Sequence, residues 1–158
     1  STLRTAGMIY VVIIGALIFA TFVSVTGITD ALSGAVTDFH ASPLVAILIM
    51  TLVLLVLGSF LDGVALMLLT TPIFLPIAEQ LGYSPIWFGI YLVRTMELGF
   101  VHPPLGLNIY VIQGIAKDLS LGTIFRGVIP FLMADFLHLG AIILFPVMVL
   151  WLPGVVGA

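Results

Sequence analysis

The chain has 158 residues, 62% of them hydrophobic and only 7% charged, with no cysteine and a mean hydropathy of +1.38. That composition lies outside the soluble globular range and marks an integral membrane protein, without disulfides, thiolate metal sites or cysteine nucleophiles. The net charge of -3 comes with no basic stripe to neutralise phosphates, which excludes nucleic acid as a partner.

The first long apolar run, MIYVVIIGALIFATFVSV at residues 8–25, follows a single Arg4 with no small-residue cleavage site, so it reads as a helix and not as a leader. Its 18 or so residues, at a rise of about 1.5 Å each, cross a hydrocarbon core of roughly 30 Å. The chain begins at Ser1 and is expected to be a piece of something longer. The next segment places Ile28, Leu32, Ala35, Val36 and Phe39 at near-helical spacing, which predicts a short interfacial amphipathic helix over 28–39.

Residues 43–79 are two apolar arms around GSFLDG at 58–63. Each arm of about 15 residues reaches roughly 22 Å, short for a full crossing, and a re-entrant hairpin fits better than two complete spans. Gly58 and Gly63 at the two ends of the tip let the chain reverse without side-chain clashes. Pro72 and Pro76 shape the outgoing arm.

Residues 85–116 form one crossing broken at GFVHPPLG, residues 99–106, because Pro103 and Pro104 lack an N–H and Pro104 pushes its predecessor out of the helical region. A final apolar run over 121–152, interrupted by Pro130 and Pro146, is long enough for a tilted crossing, with Trp151 as an interface anchor. Together these elements predict an all-α integral membrane fold with transmembrane helices, a re-entrant helical hairpin and a discontinuous helix. Arg4, Lys117 and Arg126 then fall on one face, while 27–42 and 79–85 on the other hold neither Lys nor Arg. The positive-inside rule makes the first face cytoplasmic and the C-terminus external.

Broken backbone at membrane depth must be buried in protein or line a watery cavity. Two breaks near the midplane are the sequence signature of a transporter binding site. The half-helix ending near Leu98 offers unsatisfied carbonyls suited to a small cation, and the half-helix starting near Leu107 points free N–H groups into the same space. Asp62 adds a full negative charge, and Asn108 an amide that serves either species.

The series GSFLDGVALMLLTTPIFLPIAEQLGYSPIWFGI followed by ELGFVHPPLGLNIYVIQGIA resembles the C-terminal part of the large membrane subunit of tripartite ATP-independent periplasmic (TRAP) transporters. The likeness lies in Gly-x-Phe-Leu-Asp, a Pro-x-x-x-Pro pattern and Gly-x-x-Thr-Pro-Pro-x-Gly, in this order and at similar spacing, and covers essentially the whole chain. It implies one inverted repeat of a sodium-coupled elevator transporter in the bacterial inner membrane. Its implied partners are the N-terminal half of the same subunit, a small membrane subunit, a periplasmic substrate-binding protein and membrane lipid. The implied cargo is organic acids, with no cofactor beyond sodium as coupling ion.

By position, Asp62 matches the aspartate associated with a sodium site in that family, and Gly58 and Gly99 are assigned to the same ion site. Gly99, Pro103, Pro104 and Gly106 match the second motif. The family's threonine is His102 here, an imidazole in place of a hydroxyl, which suits it to contacting substrate or titrating.

Each residue also has a structural reading. Asp62 can cap the second hairpin arm through its side chain. Arg94 and Glu97 can form an i, i+3 pair, against a role for Arg94 in holding a substrate carboxylate. Asp135 and His138 share a helix face and can satisfy one another or neighbouring helices, with a proton relay as the functional alternative. Two other classes compete with a transport subunit. An intramembrane protease would use Asp62 and Asp135 as acid and base, but lacks a Gly-x-Gly-Asp context and a His-Glu-x-x-His motif. An ion channel would use the same half-helix ends, but no filter-like repeat is present.

Overall fold

A computed structural model describes residues 2–38, 42–102 and 106–157. Every regular element among them is α-helical: α1 (Thr2–Thr26), α2 (Ile28–Asp38), α3 (Pro43–Gly58), α4 (Gly63–Gln80), α5 (Pro85–Val101), α6 (Leu107–Ile115), α7 (Leu121–Leu144) and α8 (Val147–Val156). The local starts are legible in the chain. Ser42 before Pro43 and Ser84 before Pro85 repeat one signal: the serine oxygen accepts from the amide three residues on, Val45 at 3.4 Å and Trp87 at 3.2 Å, while proline pre-sets the first helical φ. Ser120 caps α7 in the same way through Thr123.

Among the described residues, three helical stretches, 6–26, 63–80 and 121–144, are long and apolar enough to cross a membrane. α1 carries large apolar side chains outward on several faces, including Met8, Val11, Leu17 and Ile18, a surface that hydrocarbon solvates and water would not. The protein is therefore an all-α, multi-pass membrane protein.

α5 is the hub, packed against α3, α4, α6, α7 and α8. An aromatic column at four-residue spacing, beginning in the turn before α5 and continuing on one of its faces, anchors it: the Tyr83 and Trp87 rings stack with centroids 4.0 Å apart, and Trp87 and Tyr91 at 5.0 Å. Both inner rings are fully buried, so their polar atoms need partners. The Tyr91 hydroxyl lies 2.8 Å from Thr51 Oγ1 and 3.3 Å from Ile47 O on α3. Trp87 Nε1 donates to Ile142 O on α7 at 3.0 Å.

The structure departs from the sequence reading in three places. The outgoing hairpin arm is an 18-residue helix, α4, with Pro72 and Pro76 inside it, so its length alone permits a full crossing. The run 121–152 is two helices: Pro146 ends α7 and begins α8, whereas Pro130 is accommodated inside α7. A membrane helix tolerates an internal proline when neighbours take over the freed backbone groups. The half-helix expected to end near Leu98 continues to Val101. Phe39, the last residue of the predicted amphipathic helix, lies outside the described residues.

Candidate functional site: the hairpin tip on the broken helix

The two breaks meet. Gly58, at the end of α3, and Gly99, in the last turn of α5, lie backbone against backbone: a methyl group on Gly99 would sit 2.9 Å from Gly58 Cα and 3.1 Å from its carbonyl carbon. Glycine at 99 is what allows that approach, and a methyl on Gly58 would itself be tight, 3.3 Å from Gly99 Cα. On the far side of the tip, a methyl on Gly63 would meet Met96 Sδ at 3.0 Å and the Phe100 ring at 3.2 Å. The 58–63 turn thus sits astride the C-terminal turns of α5.

Ser59 fastens the contact. It is buried, and its hydroxyl lies 3.0 Å from Leu55 O and 3.4 Å from Gly99 O. In an unbroken helix Gly99 O would accept from residue 103, but that residue is proline and has no N–H. Ser59 therefore supplies a donor to a carbonyl that the proline leaves without one. The sequence reading did not single it out; the rule that a proline at i+4 orphans the carbonyl at i, applied to the second break, would have asked for such a donor.

The other side of the break is equally close. His102 N donates to Leu98 O at 2.8 Å as the last bond of α5, and Ile109 N donates to Gly106 O at 2.8 Å as α6 begins. Gly106 has φ +44°, in the left-handed region, and a methyl there would lie 3.1 Å from Val101 O. The carbonyl end of one half-helix and the amide end of the next are brought side by side, the pairing of partial charges that suits a cation and an anion held together. Pro103 and Pro104 themselves lie outside the described residues.

Asp62 stands at the tip as the N-cap of α4, where its Oδ1 accepts from Val64 N at 3.0 Å and Ala65 N at 3.2 Å. The side chain is exposed, and both capping bonds go to the same oxygen. His102 is partly buried, its ring edge-on to Phe136 of α7 with centroids 5.8 Å apart. Asn108 is exposed in the first turn of α6.

Arg94 is turned to α7. Its guanidinium bonds Glu97 at 2.5 Å, as the i, i+3 spacing predicts, and Asp135 at 2.6 Å. Asp135 is thus held by Arg94 across the helix interface, a neighbouring-helix partner, through one charge-assisted bond, while the other guanidinium nitrogen goes to Glu97. The two aspartates that a protease would need are each engaged elsewhere. Asp62 binds helix amides and Asp135 binds Arg94.

Comparison with known proteins follows the same lines. The family model described as "Tripartite ATP-independent periplasmic transporter, DctM component" matches residues 1–148. A C4-dicarboxylate TRAP transporter large permease protein of Pseudomonas aeruginosa is 35% identical over 150 residues, covering 95% of this chain and 35% of that protein. A sialic acid TRAP transporter large permease protein of Vibrio cholerae is 31% identical over 152 residues, covering 96% and 35%. An isethionate TRAP transporter permease protein of Oleidesulfovibrio alaskensis is 31% identical over 113 residues, covering 72% and 18%. The chain spans about a third of the length of the first two relatives.

Proposed function

The chain belongs to the DctM component family of the tripartite ATP-independent periplasmic transporters, a family of permeases and not enzymes, and on that premise we propose that it forms the C-terminal repeat of a sodium-coupled importer of carboxylates. The observation that carries this reading is the Gly58–Gly99 contact, which sets the hairpin tip on the carbonyl end of a broken helix. Sodium is assigned to this junction. Its ligands are Asp62, through the carboxylate oxygen that does not cap α4, and the carbonyls around Gly58 and Gly99. Phe100 O adds another, since residue 104 is proline and cannot satisfy it. A carboxylate substrate is assigned to the amide end of α6, near Asn108 and His102. Arg94, already committed to Glu97 and Asp135, acts as a tie between α5 and α7.

The rest of the assembly is proposed from the family: an N-terminal half of the same subunit, a small membrane subunit and a periplasmic binding protein that delivers substrate. In the inner membrane, Lys117 and Arg126 would face the cytoplasm and the C-terminus the periplasm.

Sodium-gradient-driven uptake in proteoliposomes tests the proposal, with wild type compared with Asp62→Ala and sodium with potassium. The expected result is a weaker sodium activation in the variant with membrane insertion intact. Undiminished sodium activation removes Asp62 from the ion site.

A further inference from the structure

Away from the breaks, two neighbouring cavities share walls from α1, α2 and α4. The first is an open apolar groove of about 630 Å³, lying between α3 and α4 and closed at one side by α1 and α2. It follows α3 from Ala46 to Leu57, about 16 Å at the helical rise. Its one polar lining residue, Thr70, is buried, and its hydroxyl is spent on Leu66 O at 2.7 Å. The second is a niche of about 240 Å³ lined by Ser24, Thr29, Asp30, Pro72 and Pro76, among others. The two are side by side: Phe19 and Ala20 on α1, Leu32 and Thr29 on α2, and Ile73 and Pro72 on α4 face the groove and the niche respectively.

The niche is a collection of acceptors. Pro72 O has lost its helical donor because residue 76 is proline, and the Thr29 hydroxyl reaches it from 3.4 Å. The Asp30 carboxylate shares the niche, and no basic side chain among the described residues lines it. A carboxylate, a carbonyl with one hydroxyl donor and a second lone pair open, and hydroxyl oxygens together call for a cation that brings several N–H donors. The niche also lies where α1, apolar from Ala6 to Thr26, leaves the hydrocarbon, while the groove runs from there along α3 to the hairpin tip.

We propose that these two cavities form one binding site for a phospholipid with a primary ammonium headgroup, of the phosphatidylethanolamine class. The ammonium sits among Asp30, Pro72 O and Ser24, and an acyl chain fills the groove. Charge and shape select this occupant: a choline headgroup has no N–H to give, and an anionic glycerol headgroup would oppose Asp30. A chain in the groove covers the apolar walls of both hairpin arms, so the lipid joins the hairpin to α1 and α2. The inference stands independently of the sodium and substrate assignments.

The test is native mass spectrometry of the full-length protein in mild detergent, titrated with phosphatidylethanolamine, phosphatidylcholine and phosphatidylglycerol of identical chains. The expected result is preferential retention of phosphatidylethanolamine by about tenfold, the scale of one charge-assisted hydrogen bond. Asp30→Asn, an exposed and nearly isosteric change, should bring the preference close to unity. Ile73→Trp should displace the lipid by filling the groove, with folding checked by thermal unfolding. Equal retention of the three lipids overturns the proposal, as does a preference that survives Asp30→Asn. Absence of any retained lipid overturns it too, and would assign the groove to another part of the protein.

Discussion

Adding one methyl group at Gly99 separates a packing role of the hairpin tip from a merely local one. In Gly99→Ala the new Cβ would lie 2.9 Å from Gly58 Cα, 3.1 Å from Gly58 C and 3.3 Å from Leu55 O, all backbone atoms with no rotamer to move aside. The tip and α5 must therefore move apart, which costs about 1–3 kcal/mol on the scale of overpacked interiors. The same substitution gains roughly 0.5–1 kcal/mol of helix propensity. Overpacking wins, by up to about 2.5 kcal/mol. Gly89 on the same helix is the control, because a methyl there meets nothing within 4 Å and Gly89→Ala should keep the propensity gain alone. Thermal unfolding in detergent reads the stability difference, and uptake under a sodium gradient reads the proposed function. Gly99→Ala should melt below wild type and lose uptake, while Gly89→Ala should melt at or above wild type and transport normally. If Gly99→Ala matched Gly89→Ala in both assays, the proposed seat of the tip on α5 would be wrong.

Trp87→Phe keeps most of the buried ring but removes the donor to Ile142 O, a carbonyl that Pro146 has already deprived of its helical partner. Side-chain hydrogen bonds inside membrane proteins average about 0.6 kcal/mol with a ceiling near 1.7. With the lost ring volume added, a destabilisation of about 1–2 kcal/mol is expected by denaturant titration, and wild-type stability would argue against this joint between α5 and α7. Arg94→Gln should leave Glu97 and Asp135 as like charges at one interface, both about half exposed, for a loss of about 1 kcal/mol. Adding Asp135→Asn should recover part of it; strict additivity in this double-mutant cycle would mean the pair does not couple the helices.

How much of this could be read from the residues depends on the range of the physics involved. The long first apolar helix, the two helix breaks and the Ser-Pro helix starts are set by neighbours a few positions apart, through apolar run length, missing N–H groups and caps, and helices end and restart at 58–63 and 101–107. What the sequence does not carry is which distant elements touch. Asp135 shares a helix face with His138, and local spacing leaves open whether it pairs with that residue or with a neighbouring helix; Arg94, 41 positions away in the chain, takes the carboxylate. Ser59 likewise has no local signature, because its role is defined by a carbonyl 40 positions on. The division of 121–152 turned on a finer distinction: Pro130 and Pro146 are equivalent as letters, but only at Pro146 does the chain leave the helix.

The prolines supply a rule that links those distant contacts. Each proline within or just after a helix orphans the carbonyl four residues earlier, and in a membrane water cannot take the place of the lost donor. Three of these carbonyls receive a side chain from another helix or its turn: Gly99 O from Ser59, Pro72 O from Thr29 and Ile142 O from Trp87. They join the hairpin tip to α5, α2 to α4, and α5 to α7. A kink would need only the proline; a tertiary joint needs the proline and a matched donor, and these three positions have both. The prolines of this chain thus fix where helices are interrupted and, through the acceptors they expose, which helices are held together around the interruption.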